Sequence, residues 1–404
     1  DRAEQPYSDP WACLKLPCEA TDKNRQAKAP MSDSLANGDG DPTKAQIRLY
    51  ERWAQGGAAV SFIGEVQGDP RFPERPGNLV LAEDTSKAMI HELVKRGTID
   101  GAHLWPQLGH AGALSFLPIS QPQGPSALAI EGFQCASMRI EDILELPHMY
   151  ATAALHAKSA GFGGVLIHAG HGFLLSQFLS PLFNHRTDAY GGSIEARCHI
   201  VLDVIRTVRR AVGSAFPVGI RINSTDMLEG GLSEHDALEV VRLLDRTSVD
   251  LIDISGGTYF PGAKASSDSL TKGPYFLDFS RRVKEVTKVP VILTGGFKTR
   301  EQAVDAIVSG AADMVGLARA MTLNPQLAND WLTKKGGDPK FPIFDSNPEG
   351  GVTAWYTMRL TALAEDREDT FNLDLPMAMR MYEERDARRC IKWRAKFSYL
   401  HTLI

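Results

Sequence analysis

The chain has 404 residues, 43% of them hydrophobic, with 44 Lys and Arg against 49 Asp and Glu, a net charge of −5. That is enough for a large core, and the absence of a dense Lys/Arg block argues against a nucleic-acid partner. No apolar run approaches the ~18 residues that span a bilayer, and Asp1 to Pro10 lack the hydrophobic segment of a signal peptide, so a cytoplasmic location is expected. The five cysteines, Cys13, Cys18, Cys135, Cys198 and Cys390, form no Cys-x2-Cys pair, which reads as reduced thiols and no metal site.

In chain order, residues 1–13 read as a loose lead-in, and Leu14 to Asn24 as a piece closing the bottom of a barrel. Arg25 to Met31 is a candidate first strand. Thr43 caps a helix reaching Gln55, with Ile47, Tyr50 and Trp53 on one face, and Gly56-Gly57 ends it. Ala58 to Ile63 is the second strand, Asp84 to Arg96 a helix, and Ala102 to Leu108 the third strand. Residues 109–140 are Gly-, Pro- and Ser-rich without periodicity, as expected of a lid. Glu141 to Ala160 is a helix leading into the apolar run Val165–Ile167. A helix starts at Ser193, with Ile194, Cys198, Val201, Val204, Ile205 and Val208 on its apolar side. Pro217–Ile222 (strand), Ser233–Arg246 (helix) and Val249–Ile254 (strand) follow. Residues 255–276 form a second Gly/Ser-rich excursion. Phe279–Val286 (helix), Val289–Leu293 (strand), Thr299–Ser309 (helix) and Met314–Leu317 (strand) complete the series.

This alternation predicts an α/β fold, a (β/α)8 TIM barrel with lid excursions over residues 14–334. A doubly wound open sheet is the alternative. Residues 335–404 fit no barrel unit and are expected as a C-terminal extension, packing on the barrel or on a partner subunit of a homo-oligomer.

The chemistry concentrates after strand four. His168 and His171 follow the buried run at once, where substrate sites lie in α/β barrels, although two such histidines alone suit a core or turn equally. Thr294-Gly295-Gly296-Phe297 follows strand seven and Gly316-Leu317-Ala318-Arg319 closes strand eight. Glycines admit backbone N–H groups to a phosphate, and Arg supplies a charged fork.

The block His168, His171, Gln177-Phe178-Leu179-Ser180-Pro181 and Arg186-Thr187-Asp188-Ala189-Tyr190-Gly191-Gly192-Ser193 resembles the signature of the Old Yellow Enzyme family. The resemblance covers roughly residues 14–330. It implies non-covalent FMN, NAD(P)H as reductant, and an α,β-unsaturated carbonyl substrate. It implies that His168 and His171 polarise the carbonyl. It places Gly295, Gly296, Gly316, Ala318 and Arg319 around the FMN phosphate. It also places Arg221, Gln107, Gly64, Pro30, Met31 and Ser32 around the isoalloxazine ring. The sequence departs where the family carries a proton-donating Tyr, since this chain has Phe173. Net reduction of an activated C=C is therefore expected, with a redox-neutral FMN-dependent isomerase or cyclisation catalyst as the alternative.

Overall fold

The structure is a computed structural model that describes residues 9–130, 132–260, 263, 273–398 and 400. Eight parallel strands close on themselves. They are β1 (Gln26–Ser32), β2 (Val60–Gln67), β3 (His103–Gly109), β4 (Val165–Ala169), β5 (Val218–Asn223), β6 (Leu251–Ser255), β7 (Val291–Thr294) and β8 (Met314–Leu317). Each pairs with the next, and β8 pairs with β1 through Val315↔Gln26, Gly316↔Ala27 and Leu317↔Lys28. Closure rules out the open sheet and gives the expected (β/α)8 barrel.

The strands are apolar on both faces because both are covered. Inside, Ala27, Phe62, Trp105, Leu166, Leu251, Ile292 and Met314 pack together. Leu14 and Leu16, from the hairpin Leu14–Lys15/Thr21–Asp22, plug the bottom of this cluster. Outside, the strands meet α1 (Lys44–Gln55), α2 (Lys87–Gly97), α3 (Ile140–Ala160), α4 (His199–Val212), α5 (Glu234–Asp245), α6 (Leu277–Val286) and α7 (Arg300–Val308). Local chemistry sets their ends. Thr43 caps α1 by accepting from the Gln46 N–H, Gly161 ends α3 in the left-handed conformation, and Thr299 with Gln302 forms a capping box at α7.

Three differences from the sequence reading matter. The second strand does not stop at Ile63. It runs to Gln67, buried throughout, because Gly64 lacks the Cβ that would press on Pro30, Met31 and Gln107. The 109–140 stretch is not uniformly irregular, since Gln123–Gly124, Leu128–Ile130 and Phe133–Ser137 form a small sheet. The segment beyond 334 contains α8 (Gly351–Ala364), packed on α1, and α9 (Leu375–Phe397), packed on α8. The far half of α9 lies against the barrel mouth. There Arg389 Nη1 donates to the Ser34 carbonyl, Trp393 Nε1 donates to the Pro70 carbonyl at 3.2 Å, and Arg75 pairs with Asp386 at 3.1 Å. Much of the 255–276 excursion lies outside the described residues, as do the first eight residues of the lead-in. Among the described residues, no helix is long and apolar enough to cross a membrane.

Candidate active site

Every residue singled out at a strand end stands at the C-terminal rim of the barrel, the face where α/β barrels place chemistry. The centre of the site is a carboxylate. Glu65, from β2, is 3% exposed, and its Oε1 accepts from both Gln107 Nε2 (2.8 Å) and His168 Nδ1. Among the described residues its other oxygen has no hydrogen-bond partner, and neither have His168 Nε2 and Gln107 Oε1. A buried carboxylate persists only when it is paired, and these two bonds supply the pairing. They also fix two orientations. With Nδ1 engaged by Glu65, the ring of His168 presents Nε2, and with Nε2 engaged, the Gln107 amide presents its oxygen.

His171 stands on a turn with φ +59°, held by its own N–H donating to Asn223 Oδ1 at 2.9 Å. Its Nε2 lies 2.8 Å from Ser255 Oγ, which also takes an N–H from Arg221 Nη2 at 3.3 Å. When Ser255 gives its own proton to Nε2, the imidazole proton sits on Nδ1. Removal from water, then Arg221 and His168, hold His171 well below the ordinary imidazole range, so the ring is neutral. The two imidazoles lie 5.3 Å apart, centre to centre. Phe173 is buried 5.2 Å from His168, and Tyr259 lies 5.9 Å from His171 and 5.6 Å from Phe173.

On β5, Arg221 is 4% exposed and donates to the Pro30 carbonyl at 3.3 Å, while its Nε stands 3.5 Å from Asp253. Asp253 accepts from Thr294 at 2.7 Å, and burial pushes its carboxyl up. Gly64 packs between Pro30, Met31 and Gln107, with a hypothetical Cβ only 3.1 Å from the Gln107 amide nitrogen. Beyond Ser32, the half-buried Glu74 bonds the Ser32 hydroxyl, and loss of water contact, then Glu65, push it up to about 8.

Past β7 and β8, Gly295 (φ +107°) and Gly296 (φ +84°) adopt backbone that favours glycine, and a Cβ on Gly296 would meet the Gly273 carbonyl at 2.5 Å. Register sets Thr294 beside Gly316, whose hypothetical Cβ would strike the Thr294 hydroxyl at 2.2 Å. Ala318 and Arg319 continue this rim, with the Arg319 guanidinium 4.6 Å over the Tyr356 ring. The structure thus gathers His168, His171, Phe173, Arg221, Gln107, Gly64 and Pro30 in one place and the two glycine loops with Arg319 in an adjoining one. Met31 joins them, its sulfur 3.5 Å from the Thr322 hydroxyl.

Sequence reasoning missed Glu65, Tyr259, Glu74 and Asp253. The signal for Glu65 was a lone carboxylate inside Val60-Ser61-Phe62-Ile63-Gly64-Glu65-Val66, which a buried strand tolerates only with partners.

The orphaned polar atoms of Gln107 and His168, a buried guanidinium, and a glycine cradle ending in an Arg suit a flat heteroaromatic ring carrying a phosphate. Fold and site together define a barrel oxidoreductase of the flavin-dependent class. A model of the NADH:flavin oxidoreductase / NADH oxidase family matches residues 18–334. The NADH-dependent flavin oxidoreductase iliE of Hypocrea jecorina (strain QM6a) is 33% identical over 382 residues, covering 86% of this chain and 92% of that protein. The protein of the same name from Neonectria sp. (strain DH2) is 33% identical over 385 residues, and there the chain spans only 50% of the relative's length. Morphinone reductase in complex with tetrahydroNAD aligns with a TM-score of 0.72 at 24% identity, over 84% of this chain and 93% of that one. The Old Yellow Enzyme homologue from Zymomonas mobilis aligns at 0.71 and 24%, over 86% and 98%. The chain belongs to the NADH:flavin oxidoreductase / NADH oxidase family. It is an FMN-binding, NAD(P)H-dependent flavin oxidoreductase.

Proposed function

We propose that this enzyme reduces a C=C bond conjugated to a carbonyl. The observation that carries the reading is the pair of imidazoles at the mouth, one braced on a buried carboxylate and one neutral. An oxygen placed between them is bonded by the Nδ1–H of His171, and by Nε2 of His168 when that nitrogen carries a proton. Donors fixed in advance on a developing enolate oxygen are worth roughly 10²–10³ in rate each. FMN, when bound, supplies the hydride that it takes from NAD(P)H. Gln107 and Arg221 would hold the polar edge of its ring, Pro30, Met31, Ser32 and Gly64 would line the ring, and Gly295, Gly296, Gly316, Ala318 and Arg319 would hold the phosphate. Arg221, which among the described residues shares one buried carboxylate, favours negative charge on the ring beside it.

The test is a visible spectrum taken anaerobically through NADPH addition and then 2-cyclohexenone. Bleaching, followed by reoxidation with a product two hydrogens heavier, is expected. A product isomeric with the substrate, formed without consuming NADPH, refutes net reduction.

A further inference from the structure

Reduction of an enone needs a proton at the α-carbon, and Phe173 has none to give. We propose that Tyr259 is the acid that supplies it, an assignment resting on the alkene-reductase reading above.

The rings of His168, His171, Phe173 and Tyr259 form one continuous wall, each within 6 Å of the next. A substrate oxygen lodged on the imidazoles therefore sets its carbon chain beside Phe173 and Tyr259. Of those two, only Tyr259 carries an exchangeable proton. Its backbone is fixed to the same turn that carries His171, because Tyr259 N–H donates to the His171 carbonyl at 3.1 Å. On one side Thr258 packs so closely on Gly172 that a Cβ there would fall 1.8 Å from the Thr258 hydroxyl. On the other, Phe260 is held edge-on against Phe133 of the lid sheet (5.3 Å) and Phe183 (4.9 Å). Tyr259 thus stands on a clamped backbone, while its side chain is 59% exposed, so water can return a proton to it.

The step balances. Hydride forms a C–H bond at the β-carbon, and the π pair moves onto the carbonyl oxygen held by the imidazoles. The enolate pair then takes the Tyr259 proton, so that an O–H bond breaks and a C–H bond forms at the α-carbon. The phenolate recovers a proton from water. NAD(P)H supplies the two electrons.

The experiment follows anaerobic reoxidation of the reduced holoenzyme by 2-cyclohexenone and, separately, by 1,4-benzoquinone, which needs no proton on carbon. Y259F is expected to slow the enone reaction roughly 100-fold more than the quinone reaction, the scale of a lost general acid. Adding F173Y to Y259F places a phenol on the neighbouring ring and restores the enone rate to within about tenfold of wild type. Equal slowing of both acceptors, or no rescue by F173Y, overturns the assignment. So does a larger enone-selective loss in E74Q than in Y259F. If the wild-type enzyme reduces quinone but never the enone, the alkene-reductase reading itself falls, and Tyr259 loses its role with it.

Discussion

Replacing Glu65 by Gln isolates the charge behind His168. The amide keeps the shape of the carboxylate, and its oxygen still accepts from His168 Nδ1 and Gln107 Nε2, so both orientations survive. What is lost is the negative charge on the oxygen that accepts from His168 Nδ1. Glu65 and His168 are 3% and 2% exposed, so solvent screens the pair little. A hydrogen bond to a charged partner contributes about 1.5–3 kcal/mol, roughly 10- to 150-fold in affinity. Titration of the oxidised holoenzyme with a phenol, whose oxygen takes the place of the substrate oxygen, measures that loss through the flavin's visible spectrum. E65Q should weaken phenol binding by that factor and slow enone reduction in proportion, with FMN still bound. Unchanged phenol affinity would refute the argument, and so would loss of FMN at unchanged phenol affinity.

H168A and H171A should each cut enone reoxidation by roughly 10²–10³ and weaken phenol binding while the flavin stays bound, read by stopped-flow and titration. G296A puts a side chain at φ +84° and against the Gly273 carbonyl, so FMN binding should weaken by about 1–2 kcal/mol, read by fluorescence as released flavin. Lys28 carries a pH signature. It is buried among Tyr50, Trp53 and the Phe62 carbonyl, and loss of water contact pulls its amine down to about 7 from near 10.5. The unfolded chain then binds more protons between those values, so stability is highest above about pH 10, falls as pH drops towards 7, and levels below. K28M should flatten that slope in urea unfolding at pH 7 and 9.5, and a slope equal to wild type would refute it.

The barrel was legible because each βα unit announces itself locally: an apolar run, a glycine or cap, then an amphipathic helix such as α4. The rim residues were legible because a strand's carboxyl end is a position in sequence as well as in space. Glu65 was not, because Gly64 reads as a strand terminator until Pro30 and Gln107 are seen packed against it. Tyr259 sits in a Gly/Ser-rich stretch with no periodicity, and its place beside His171 and Phe173, each distant in sequence, is set by the fold. The lid strands escaped for a simpler reason, since runs of two to five residues are too short to display a period of two. Contacts of α9 with Ser34 and Pro70 join residues more than 300 positions apart, which no local pattern reports.

That last pairing bears on how the protein is made. The loops after β1 and β2 leave the ribosome early, yet Ser34, Pro70 and Arg75 find their partners only when α9 emerges. Throughout synthesis, the rim that would receive the isoalloxazine ring lacks one of its braces. The nascent barrel can close its strands before it can hold its cofactor site in final form. Chains arrested before α9 are expected to hold flavin more weakly than the full chain.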